Sequence, residues 1–279
     1  MKAWVVISMV TFCVVVGEAR GTAAGLKDLQ DGWLLGVEGM WRLFQPVHMN
    51  GLAGPGTPDG VWLSAGQCRL FGMAALPVVE LAVGARHNRS RWTWYANAHW
   101  QRLGRDLFRE DSVTLHVGGG RRWLCGAMLS KQAVTVAGLR EANEAQAALE
   151  IETPPLWVGA ARLRISGRFH LLEPPEWYGK SGRRELLRAI IEWPGLAVAA
   201  ALDRLSDGAP RFSLDVWGRL SERMAVGVRL DPATGVMGPG LAVLLPRMLL
   251  RTSHVAHPEL GPTHRFCLTV GSVAAAPRR

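Results

Sequence analysis

Arg162-Leu163-Arg164-Ile165-Ser166-Gly167-Arg168-Phe169-His170-Leu171 alternates polar with apolar or small side chains for ten positions without a break. Successive side chains of a β-strand point to opposite faces, so a period of two describes a strand with one wet face and one apolar face. Working outward, Arg211 to Val216 and Arg265 to Val270 repeat the pattern. Similar runs cover Val79 to Arg86, Ser112 to Val117, Gln146 to Glu152 and Arg223 to Leu230. Trp92 to Trp100 carries tryptophan at both ends of its apolar face, with Thr93, Tyr95, Asn97 and His99 on the other.

Turn-rich breaks separate these runs at Arg86 to Ser90, Gly118 to Gly120, Pro154-Pro155, Asp207 to Pro210, Asp231 to Gly235 and His257 to Pro262. Together they predict an all-β chain of about 12 to 14 antiparallel strands joined mainly as hairpins. Strands of about 9 to 11 residues are the length that crosses a bilayer when tilted. Only two stretches suggest helix: Leu26 to Phe44, interrupted by Gly32, Gly36 and Gly39, and a short one around Glu185 to Ile191.

The composition fits this frame. The 279 residues are 48% apolar and 20% charged, with a net charge of +9. That is too apolar for a disordered chain. Beyond the first 16 residues the longest nearly uninterrupted apolar stretch is Gly195 to Leu202, too short for a spanning helix, which excludes a polytopic helical membrane protein. At the N-terminus, Lys2 followed by apolar Ala3 to Val16 and then Gly17-Glu18-Ala19 or Thr22-Ala23-Ala24 reads as an export signal. Residues 1–24 are therefore expected to be the signal peptide, 25–60 a partly helical or plug-like segment entering or capping the lumen, 61–272 the barrel, and 273–279 a tail. With Cys13 in the signal, Cys68, Cys125 and Cys267 remain, an odd count without a C-x-x-C pair, indicating neither a disulfide framework nor a thiolate metal site.

Many alternating strands fit either a soluble sandwich or a membrane barrel, and alternation alone does not separate them. Three observations favour the barrel: a strand count high for one sandwich, tryptophans at strand ends as in an interfacial girdle, and arginines recurring on the presumed inner face. The expected lumen-lining residues are Arg162, Arg164, Arg168, His170, Arg211, Arg229 and Arg265. Glu80, Glu150, Glu152 and Asp215 are their expected ion-pair partners, and surplus positive charge would favour anions. Because the arginines fall on alternate positions of separate strands rather than on one basic face, the charge does not indicate nucleic-acid binding.

Several chemical motifs fail on inspection. Gly179-Lys180-Ser181 lacks the earlier glycine of a phosphate loop, because Pro174 stands in its place. Trp62 to Gly66 lacks the first glycine of a nucleophile elbow. His254 and His257 have no third metal ligand in evidence. His116 and His170 read as lumen residues rather than acid-base catalysts. No catalysis, cofactor or metal is expected.

Hairpin words add a family resemblance. Trp100 to Glu110, with Gly104, Leu107, Phe108, Arg109 and Glu110, resembles the W-Q-x-F-G-x-x-L-Y-R-E segment of outer-membrane barrels of the PorV and PorQ type, distant relatives of FadL-like channels. Leu70-Phe71-Gly72 followed by Leu76-Pro77 is similar to that family's L-F-G-L-x-x-L-P hairpin. Leu260, Gly261, Thr263, His264 and Arg265 resemble its final L-G-x-T-H-R turn. The family's N-P-A-G-L-A is represented only by Asn50-Gly51-Leu52-Ala53, and the chain ends on Ala-Pro-Arg-Arg rather than an aromatic residue.

The resemblance implies an outer-membrane barrel that is structural or accessory to protein secretion and surface delivery. Its implied partners are outer-membrane lipid and secretion-system components or an exported protein. The alternatives are a FadL-like channel for a small hydrophobic or anionic compound, and a secreted soluble β-sandwich that binds carbohydrate.

Overall fold

The computed structural model describes residues 60–69, 77–89, 92–105, 108–138, 142–171, 184–205, 210–232, 236–257 and 261–271. The expected signal peptide, the 25–59 segment, the tail, the Gly179-Lys180-Ser181 motif and Leu107 and Leu260 lie outside these residues. Fifteen strands follow in chain order: β1 (Gly60–Arg69), β2 (Pro77–Arg89), β3 (Trp92–Gly104), β4 (Phe108–Gly120), β5 (Leu124–Val136), β6 (Ala142–Glu152), β7 (Leu156–Val158), β8 (Ala161–His170), β9 (Arg184–Trp193), β10 (Leu196–Leu205), β11 (Arg211–Arg219), β12 (Met224–Asp231), β13 (Val236–Leu245), β14 (Met248–His257) and β15 (Gly261–Gly271).

Each strand pairs antiparallel with its neighbour in sequence except that β6 and β7 do not pair, and two further antiparallel pairings close the circle. β1 pairs with β15 from Trp62↔Gly271 to Arg69↔His264, while β6 pairs with β8 from Ala148↔His170 to Glu152↔Ser166. β7 continues this stave, pairing with the start of β8 at Leu156↔Leu163 to Val158↔Ala161. Pro154 and Pro155 interrupt the stave because proline cannot donate to the ladder. Thr153 bridges the gap, its N–H donating to the Ile165 carbonyl at 2.8 Å. Counting β6 and β7 as one stave gives, among the described residues, a closed barrel of 14 strands in which each stave has a partner on both sides.

The faces are inverted relative to a soluble protein. Along β1, β2 and β4 the large apolar residues Val61, Leu63, Leu81, Val83, Leu115 and Val117 are exposed, with Val61 at 56%. The polar residues between them, Ser64, Glu80, Ser112 and Thr114, are buried. An aliphatic side chain left in water forgoes roughly 1.5 to 3 kcal/mol. Repeated around the circumference, this belt is tolerable only against lipid, and closure pairs the backbone as a hydrocarbon environment demands. The soluble-sandwich alternative is thereby excluded.

The two ends differ. One carries two- to four-residue turns, such as 90–91, 121–123, 194–195 and 246–247; the other includes the connections 70–76 and 171–183. Short turns on one side and longer loops on the other are the periplasmic and extracellular ends of bacterial outer-membrane barrels. Trp92, Trp94, Trp123 and Trp157 are all exposed and all sit beside the short turns. Trp92 and Trp94 stack with ring centroids 5.8 Å apart. The expected girdle is therefore gathered at this end, where amphipathic rings occupy the headgroup level.

One expected element is corrected. Glu185 to Ile191 is not helical but forms most of β9, paired with β8 and β10. Glu, Leu, Arg and Ala are good helix formers, so local propensity pointed to a helix. The ladder partners on both sides override it, and Leu186, Arg188, Ile190 and Glu192 share the inward face. Leu26 to Phe44 lies outside the described residues.

Candidate functional site in the barrel lumen

The interior has two unlike walls. On one side β9 to β14 contribute Leu186, Ala197, Ala199, Ala201, Trp217, Ala225, Ala242 and Leu249, a continuous apolar cluster. Trp217 fills its middle and is 0% exposed. The indole lies flat over Gly227, its cross-strand partner, where any Cβ would overlap the ring.

Opposite, β1 to β6 and β8, with β9, β14 and β15, surround a cavity of about 400 Å³. Six arginines line it, Arg86, Arg164, Arg168, Arg188, Arg251 and Arg265, against three glutamates, Glu80, Glu150 and Glu152.

Each glutamate is held by cations from other strands. Arg168 Nε donates to Glu150 Oε1 at 2.7 Å, and His116 Nδ1 lies 3.2 Å from Glu150 Oε2. Arg164 forks between Glu152 at 3.3 Å and Glu192 at 3.1 Å, and Arg162 Nε stands 3.8 Å from Glu192 Oε2. Arg265 makes a two-point pair with Glu80, Nε donating to Oε1 at 3.1 Å and Nη2 donating to Oε2. That pair spans β1 because Gly66 has no side chain: Glu80 lies over it, and a Cβ there would overlap the carboxylate. Forked arginine–carboxylate bonds fix orientation as well as charge.

Arg162, Arg164, Arg168 and His170 share one face of β8 by the two-residue period. They are buried or half-buried. Arg211 and Arg229 are half-buried on β11 and β12, with Arg229 directly across from Asp215 in the ladder. Asp215 is fully buried. Arg162, His170, Arg211 and Arg229 lie outside the wall of this cavity, which includes Arg164, Arg168 and Arg265.

The hairpin-word residues divide differently. Gly104 adopts φ +77° at the β3–β4 turn, a left-handed conformation that glycine allows. Glu110 faces inward and accepts a bond from Gln132 Nε2, whereas Arg109 is exposed and pairs with Asp111 at 3.0 Å. Phe108 opens β4, and Gly261 opens β15. Thr263 is buried, while His264 points outward with Nδ1 2.7 Å from His254 Nδ1. His254 thus meets His264, and among the described residues no group of three metal-ligating side chains occurs. Cys68 and Cys267 are buried and Cys125 is exposed; all three are free.

Arg86, Arg188, Glu192 and Arg251 belong to the site without having been singled out from the sequence. Arg86 ends an alternating run, Arg188 was hidden in the helical-looking segment, and Glu192 directly follows that segment. Arg251 stands alone in Met248-Leu249-Leu250-Arg251, where nothing alternates.

No protein-family profile and no characterised protein sequence matches the chain. Among solved structures it is similar to the Acinetobacter baumannii outer membrane protein Omp33, at TM-score 0.51 and 6% identity over 76% of this chain and 98% of that one. It also overlaps the CymD monoaromatic hydrocarbon channel at TM-score 0.48 and 11% identity, over 77% of this chain and 88% of that one. A third overlap, with the KdgM porin in complex with disordered oligogalacturonate, has TM-score 0.41 and 6% identity over 75% and 98%. The Omp33 likeness extends to the fold alone, and the looser overlaps add nothing to it. A closed barrel with an apolar exterior is the architecture of an outer-membrane β-barrel, and the chain resides in the outer membrane.

Proposed function

We propose that the protein is a non-enzymatic outer-membrane channel for small anionic solutes. The observation that carries this reading is the charge of the lumen cavity, where six arginines face three glutamates. A cavity with low-dielectric walls and a surplus of one sign focuses its field and concentrates counter-ions. Glutamates neutralise part of the arginine charge and hold the guanidinium groups in place, while the remainder selects for negative solutes. The charged lining argues for anionic rather than hydrophobic cargo. Outer-membrane lipid is the partner at the exterior, and no nucleic acid is required.

The test is the reversal potential of the purified barrel in planar bilayers under a KCl gradient. Chloride permeability above that of potassium is expected; a cation preference, or no conductance, would sink the proposal.

The accessory role in secretion and surface delivery remains a second reading, favoured by one observation. All three hairpin words fall on the same end, the one with the longer connections, at the β1–β2, β3–β4 and β14–β15 turns. A deletion strain that loses an exported protein from its surface, while anion uptake is unchanged, would favour this reading over the channel.

A further inference from the structure

Arg251 differs from the other lumen arginines for which pairs are described above. It is 7% exposed and faces the lumen cavity from β14. Its one hydrogen bond runs from Nη2 to Cys267 Sγ at 4.0 Å. Among the described residues it has no carboxylate partner, and its Nε and Nη1 have no hydrogen-bond partner. The cavity glutamates are engaged elsewhere: Glu80 by Arg265, Glu150 by Arg168 and His116, Glu152 by Arg164.

A guanidinium held nine-tenths buried with donors unspent is costly unless something satisfies it. Its surroundings determine what that something is. Across the ladder from Arg251 stand Cys267 on β15 and Ala242 on β13. Beyond Cys267, Ser64 Oγ lies 3.0 Å from both Cys267 Sγ and Thr269 Oγ1. A planar fork of N–H donors in a cavity wall shared with the Ser64 hydroxyl, backed by an apolar wall, matches an oxygen-bearing anion better than a halide.

We infer that Arg251, with the Ser64 hydroxyl that lines the same cavity, forms a specific binding point for a small oxoanion, a carboxylate or a phosphate, inside the lumen. This deepens the channel reading and rests on it for its biological meaning, though binding itself requires no conduction. A permeating ion must be held firmly enough to enter and weakly enough to leave, and a single arginine beside one hydroxyl meets that condition.

The experiment uses the purified full-length barrel in detergent and inorganic phosphate as the probe. The unfolding midpoint is followed by heat-modifiable gel mobility, with phosphate compared with chloride at matched ionic strength. A ligand that binds only the folded barrel raises its midpoint. A phosphate-specific rise is expected in the wild type, at least a fivefold higher half-saturating concentration in R251K, and loss of the rise in R251Q. If R251Q does not fold, R251K alone decides, since it retains the charge and loses the fork. No phosphate-specific rise in the wild type, an unchanged half-saturation in R251K, an undiminished rise in R251Q, or an equal loss in R168Q would overturn the site. Bilayer conductance, measured separately, distinguishes the two levels: binding without conduction removes the channel and leaves the site. Anion-selective conduction with phosphate stabilisation intact in R251Q does the reverse.

Discussion

The two walls of the lumen are built on the same backbone and differ in what their inward positions carry. On β8 every second residue from Arg162 to His170 is polar, whereas on β10 the corresponding series is Ala197, Ala199 and Ala201. The first wall is stable because each carboxylate meets a guanidinium or imidazole from another strand; the second because Trp217, Leu186 and Leu249 fill the space the alanines leave. A barrel interior can thus be satisfied by charge pairing or by volume. Using one method on each side leaves an off-centre cavity lined by charge rather than a uniform pore. The polar wall sets which solutes are favoured, and the apolar wall narrows the room they have.

The largest expected effect lies on the packed side. Trp217→Ala removes the side chain that fills the cluster, and loss of a buried tryptophan costs about 3 to 5 kcal/mol. The midpoint of the heat-modifiable transition should fall accordingly, and single-channel conductance should rise as the vacated volume joins the cavity. A variant as stable as the wild type, with unchanged conductance, would show that this wall is not held by packing.

The charged side breaks differently. Glu80→Gln keeps the shape over Gly66 but removes the acid from Arg265, and leaving one member of a buried pair alone costs about 3 kcal/mol. The freed guanidinium should also raise the chloride-to-potassium permeability ratio. Adding Arg265→Gln should restore most of the stability and cancel the gain in selectivity, the non-additivity expected of contacting residues. If the two single losses simply add, Glu80 and Arg265 are not coupled.

The same contrast explains what could be read from the sequence. Where inward residues are charged and outward ones apolar, as in Arg162 to Leu171 and Arg265 to Val270, a period of two stands out and the strands were legible. Where the inward wall is itself apolar, both faces read alike: Gly195 to Leu202 showed only an apolar run, and the inward Leu186 and Ile190 helped disguise β9 as a helix. Pairing was less legible than facing. Glu80 and Arg265 lie 185 residues apart and meet only because closure sets β2 and β15 on either side of β1. Arg251 was invisible for a related reason, since Leu249 and Leu250 before it are apolar on both faces, Thr252 and Ser253 after it are polar on both, and no rhythm marks it.

The smallest effect is also the most direct comparison of the walls, because one change of side chain is made on each. Ala225 is fully buried on β12 among Trp217's neighbours, and Ser166 lines the cavity on β8. Valine suits a strand at either position, so intrinsic propensity does not separate them. At position 225 the added methyl groups have no space and must push against the cluster, which costs roughly 1 to 3 kcal/mol. At 166 they project into the cavity, and the change should stay within about 0.5 kcal/mol. Urea midpoints of Ala225→Val and Ser166→Val measured side by side decide the matter. Equal losses would mean that both walls are packed alike, and a larger loss at 166 would mean that the charged wall, not the apolar one, sets the stability of the barrel.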